Sequence, residues 1–159
     1  MTTHTATTYA ASLTDIRAAA ARIAPYVHRT RVATCATLDK IAGRSLFFKC
    51  EHEQKVGAFK FRGACNAVMK LTDDLASRGV VAHSSGNHAQ ALALAARLRG
   101  IDAHIVMPGN ASPVKVAAVK GYGGRVIACE PTLFARQGEA DRIAGETGAT
   151  LIHPFDNPD

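Results

Sequence analysis

Residues 80–108 read VVAHSSGNHAQALALAARLRGIDAHIVMP. The short β-branched run VVAH reads as a strand, HAQALALAARLRG as a helix and AHIVMP as a second strand. Gly100 stands where a left-handed residue closes a helix. Strand, helix and strand at this spacing make a βαβ unit, which calls for parallel strands joined by a right-handed crossover.

The alternation continues downstream. SPVKVAAVKGYGG (112–124) reads as helix, RVIACE (125–130) as strand, residues 132–146 as helix and ATLIH (149–153) as strand. Pro113 follows Ser112 at a helix N1 position, and Gly121 stands where a C′ glycine is expected. The implied fold class is α/β, a three-layer parallel sheet with helices on both faces. Upstream, SLTDIRAAAARIA (12–24) opens with a Ser-x-x-Asp capping pattern and reads as a helix stopped near Pro25. LFFKC (46–50) reads as a strand. In FKFRGACNAVMKL (59–71), Phe61, Ala64, Cys65, Val68 and Met69 fall at helical spacing, which puts Lys60 at or near a first turn.

The 159 residues are 47% hydrophobic and 20% charged, the composition of one soluble globular domain. The net charge is +6 and the pI about 9.4. Basic residues are scattered, however, and aromatic residues make up only 6%, so small anionic ligands are expected rather than nucleic acid. No apolar run approaches the length of a membrane span, and the N-terminal stretch lacks the regions of a signal peptide, so no membrane partner and a cytoplasmic location are expected. Cys35, Cys50, Cys65 and Cys129 form no C-x-x-C pair, so neither a zinc site nor a disulfide framework is expected.

Two stretches carry chemistry. HSSGNHAQ (83–90) lies between a strand and a helix start, where open α/β sheets bind ligands. The helix N-terminus offers free N–H groups, Ser84, Ser85, Asn87 and His88 offer side-chain hydrogen bonds, and Gly86 allows close approach, a set suited to an anion. The same residues also suit a tight βα connection with a helix cap. His83 and His88, five apart and without an acidic neighbour, do not suggest a metal site. G-x-S-x-G, P-loop and G-x-G-x-x-G patterns are missing. The second stretch, GAFKFRGAC (57–65), sets Lys60 between Phe59 and Phe61. Either its ammonium snorkels to water, or an apolar surround activates it as a nucleophile.

KCEHEQKVGAFKFRGACNAV (49–68), taken with SSGNHAQALALAARLRGIDAHIVMP (84–108), resembles the serine/threonine dehydratase and serine racemase branch of the fold-type II (tryptophan synthase β-like) pyridoxal-phosphate enzymes. The resemblance runs from about Val27 to the end of the chain. It implies that Lys60 forms a Schiff base with pyridoxal 5'-phosphate, that Phe59 packs beside the ring, and that Asn87 bonds the ring hydroxyl oxygen. It also implies that Ser84, Ser85, Gly86, Asn87 and His88 surround the carboxylate of a small amino-acid substrate, with Ser85 on the face opposite Lys60; Lys60 and Ser85 are the implied catalytic pair. The implied activity is an ammonia-lyase (dehydratase) turning L-threonine, L-serine or 3-hydroxyaspartate into a 2-oxo acid and ammonia, with racemisation as the alternative if Ser85 returns a proton. Val-Gly-Ala-Phe-Lys-Phe resembles enzymes acting on 3-hydroxyaspartate. The chain departs from the common pattern at His28-Arg29-Thr30-Arg31, at Ala58 and at Ala89, whose methyl group is expected to narrow the helix start against a ligand.

The resemblance further implies that residues 1–77 begin a large cofactor domain, that 78–154 form a small domain, and that 155–159 return to the large one. The phosphate cup, the ring-nitrogen partner and a divalent-metal cluster would all follow Asp159. The chain is therefore expected to be the N-terminal portion of a homo-oligomer, a dimer at full length. The competing expectation is a complete non-catalytic binding or dimerising module.

Overall fold

The computed structural model describes residues 11–155. Its first helix, α1 (Leu13–Ile23), opens on the expected capping box: Ser12 Oγ accepts from Asp15 N, and Asp15 Oδ2 accepts from Ser12 N at 2.8 Å. The helix α3 (Lys60–Lys70) buries Phe61, Ala64, Cys65 and Val68, as its spacing predicts. Between them lie β1 (Val32–Ala33), α2 (Ala36–Ala42) and β2 (Phe48–Lys49). The expected strand over 46–50 shrinks to the two residues of β2, paired antiparallel with β1 outside the main sheet. Phe47 and Phe48 are exposed there, so the apolar run signals a surface and not a core.

After the short α4 (Asp73–Ser77) the regular alternation begins: β3 (Val80–His83), α5 (Asn87–Arg99), β4 (Ala103–Pro108), α6 (Pro113–Gly121), β5 (Arg125–Cys129), α7 (Leu133–Thr147) and β6 (Thr150–Leu151). The four strands form a parallel sheet in the order β5-β4-β3-β6. Side chains alternate between its faces, as strand geometry requires. Val80, Ala82, Ala103, Ile105 and Met107 pack with α5 and, beyond it, α3. Val81 and Val106 pack with Ala140 and Ile143 of α7 on the opposite face. Gly100 closes α5 at φ 76° as expected. Gly121 instead ends inside α6, and the left-handed position falls to Gly123 at φ 93°. No helix among the described residues is long and apolar enough to cross a membrane.

This strand order decides where a ligand can sit. From β3 the chain moves outward to β4 and β5, then α7 carries it back across the sheet to place β6 on the other side of β3. Connections leaving β3 and approaching β6 therefore lie on opposite faces. They open a crevice beyond the carboxyl ends of these two strands, the topological switch point.

Candidate active site

At that crevice three segments meet: the turn Ser84–Gly86 after β3, residues 152–155 after β6, and the first turn of α3. Lys60 is the first residue of α3 and is half-buried. Its Nζ donates to Pro154 O at 2.6 Å and lies 5.6 Å from the centre of the Phe59 ring. The two phenylalanines play different parts. Phe61 is fully buried in the core, whereas Phe59 is 59% exposed, and of the two it is Phe59 that stands beside the ammonium in the cavity. A cavity of about 310 Å³ is lined by Phe59, Lys60, Arg62 and His88 together with the 152–155 segment.

The serine loop lies on the other side of that segment. Ser84, Ser85 and Gly86 line a second hollow of about 260 Å³ with His83, Arg136 and Leu133, and both hollows share Pro154 and Phe155. Gly86 precedes α5 and supplies no capping side chain, so the helix start keeps free N–H groups with their partial positive charge. Asn87 is exposed at that start. Ser84 Oγ accepts from Gly86 N at 3.2 Å, which shapes the turn.

The histidines of the loop are buried. His88 Nε2 lies 3.0 Å from Ile152 O; a carbonyl only accepts, so Nε2 carries the proton. Burial pushes the pKa of His88 below its ordinary value, against the opposing effect of that hydrogen bond. His83 is 3% exposed, its pKa is likewise lowered chiefly by burial, and its ring meets His153 edge-on at 5.3 Å. Ala89 is fully buried within the core cluster and lines neither hollow, so its methyl group packs the core instead of narrowing the ligand side as expected.

Of the sequence-predicted residues, Phe59, Lys60 and His88 line one hollow and Ser84, Ser85 and Gly86 its neighbour, whereas Asn87 lines neither. Sequence reading missed Arg136, which α7 brings to the serine loop from far along the chain, and the strap formed by residues 152–155. It also missed Cys50, His52 and Glu53, whose donor atoms lie within 4.8 Å of one another, although the Glu53 carboxylate already pairs with Arg31 at 2.7 Å.

The family profile described as "Pyridoxal-phosphate dependent enzyme" matches residues 23–159. Serine racemase of Oryza sativa subsp. indica is 57% identical over 149 residues, which are 94% of this chain and 44% of that protein. The beta-hydroxyaspartate dehydratase of Paracoccus denitrificans is 45% identical over 150 residues, 94% of this chain and 48% of that protein. Among solved structures, maize serine racemase superposes with a TM-score of 0.91 at 55% identity, over 94% of this chain and 45% of that one. The chain spans about half the length of the relatives it matches.

Proposed function

Because the chain belongs to the pyridoxal-phosphate dependent enzyme family, we propose that it forms the N-terminal portion of an ammonia-lyase that converts a small 3-hydroxy amino acid to a 2-oxo acid and ammonia. The observation that carries this reading is the meeting of Lys60 with the uncapped start of α5 across one short strap. These residues fit the cofactor: a primary amine opens into a cavity, an exposed aromatic ring stands beside it, and free N–H groups wait in the adjoining hollow. Pyridoxal phosphate, when bound, supplies an electron sink for the charge left at Cα on deprotonation.

The chain's own residues supply the rest. Lys60 is the amine that would attach the cofactor and, once displaced by the substrate's own amine, would be free to move the Cα proton. Phe59 would hold the cofactor's ring, and Asn87, exposed at the start of α5, would donate to its hydroxyl oxygen. Ser84, Ser85, Gly86 and the helix start receive the substrate carboxylate. His88, neutral by burial and tied to Ile152, holds the strap against the loop. Arg136 adds a cation to the same hollow, which suits the second carboxylate of 3-hydroxyaspartate better than the side chain of serine or threonine. The 57% identity to a serine racemase favours a second reading, in which Ser85 returns a proton from the face opposite Lys60. The same reading assigns residues 1–77 and 78–154 to a large and a small domain, and the full-length protein to a cytoplasmic homodimer.

The test is to incubate full-length protein and cofactor with 3-hydroxyaspartate, serine and threonine in turn, measuring ammonia, 2-oxo acid and the enantiomer of recovered amino acid. Ammonia release fastest from 3-hydroxyaspartate is expected. Inversion of serine without ammonia release would favour the racemase, and turnover unaffected by Lys60→Ala would end both readings.

A further inference from the structure

Lys60 opens α3 from a turn in which Phe61 N donates to Ala58 O at 3.3 Å and Arg62 N to Phe59 O at 2.9 Å. The residue before it, Phe59, already has helical angles and supplies no side-chain cap. The approach is also unusual: Val56 and Gly57 take φ values of 58° and 69°, followed by extended Ala58. A β-branched residue in the left-handed region crowds its own carbonyl, so this conformation persists only where its surroundings impose it.

The surroundings form one polar frame. Gln54, 3% exposed, accepts from His28 N at 3.0 Å and from Lys55 N at 2.9 Å, and donates to His28 O at 2.8 Å. Arg62, two residues into α3 from Lys60, grips Glu51 with two parallel bonds of 2.8 Å, Nε to Oε2 and Nη2 to Oε1. Thr30 Oγ1 donates to Glu51 Oε1 at 2.7 Å, and Arg62 Nη2 also reaches His28 O at 3.2 Å. Residues 28–30, the turn at 51–54 and the first turn of α3 are thereby joined. Arg62 holds the Glu51 carboxyl down to about 2, so the pair stays ionised throughout the working pH range. The guanidinium lines the cavity of Lys60 with its charge already matched.

We propose that Glu51 and Arg62 are positioning residues for Lys60: their paired hydrogen bonds fasten the first turn of α3 to the turn at 51–54 and set the direction in which the lysine enters the 310 Å³ cavity. The proposal rests on the reading of Lys60 as the cofactor lysine. A lysine in place of Arg62 keeps the charge and loses the planar fork. A pair of methionines in place of Glu51 and Arg62 keeps bulk and removes the need for charge matching, a change that is often neutral for stability.

The experiment uses full-length protein carrying Lys60→Ala, Arg62→Lys or the double change Glu51→Met with Arg62→Met. Cofactor affinity is read by titrating the visible absorbance band of bound pyridoxal phosphate. In cofactor-free protein, the acetylation rate of Lys60 by acetic anhydride is read by mass spectrometry against exposed Lys115. Both pair variants are expected to bind cofactor about tenfold more weakly. Lys60 labelling should change severalfold in each, while the methionine pair melts within about 5 °C of the parent. Parental affinity and labelling in either pair variant would overturn the proposal. A band that survives Lys60→Ala would instead remove the cofactor reading, and labelling would still decide the positioning: unchanged labelling in Arg62→Lys defeats it alone.

Discussion

The Lys60 ammonium donates to the Pro154 carbonyl oxygen at 2.6 Å, tying the first turn of α3 to a residue 94 positions later. His88 makes a parallel tie to Ile152. Residues 152–154 are thus fastened on both sides, between the cavity of Lys60 and the serine loop. Lys60→Met removes a charged donor from a part-buried carbonyl, and the expected loss of folding stability is about 1 kcal/mol. Urea denaturation of variant and parent measures it; an unchanged midpoint would show that the strap does not depend on Lys60.

The phenylalanines on either side of Lys60 should separate stability from binding. Phe61 is fully buried, so Phe61→Ala is expected to cost about 3–5 kcal/mol by thermal or chemical denaturation. Phe59 is 59% exposed and lines the cavity, so Phe59→Ala should leave stability within about 1 kcal/mol of the parent and weaken cofactor binding. Equal destabilisation by both changes would contradict this division.

His83 and His88 make stability depend on pH in one direction. Burial places both imidazoles below their ordinary value of 6.5, because the cation loses its water. Below that value the unfolded chain takes up protons that the folded protein refuses. The stabilising contribution is therefore complete above pH 6.5 and lost as pH falls through the folded-state values. Denaturation midpoints from about pH 7.5 to about pH 5 should fall, and should fall less steeply after His88→Asn. A steeper fall in the variant would assign the acid sensitivity to other groups.

The regular part of the fold was legible because its signals are local. VVAH, AHIVMP and RVIAC alternate with helices bounded by Gly100, Pro113 and the threonine at 132, whose Oγ1 accepts from Ala135 N. The two-residue β2 was overstated because Phe47 and Phe48 look like core residues while lying on the surface. The helix α2 escaped because it buries none of its residues and so leaves no periodic stripe. At the site, Lys60 and the Ser84–His88 loop stood out because glycines, aromatic residues and a lysine share short windows. Arg136, Pro154 and the Glu51–Arg62 pair did not stand out, since each acts through a contact that only the folded chain creates.

Lys60, read as the amine to which pyridoxal phosphate attaches, can be identified chemically. Full-length protein saturated with the cofactor, reduced with borohydride and digested, would be sequenced by mass spectrometry to locate the pyridoxyl group. The pyridoxyl group is expected on Lys60 of the GAFKFRGAC stretch; its recovery on another lysine, with Lys60 unmodified, would overturn the assignment.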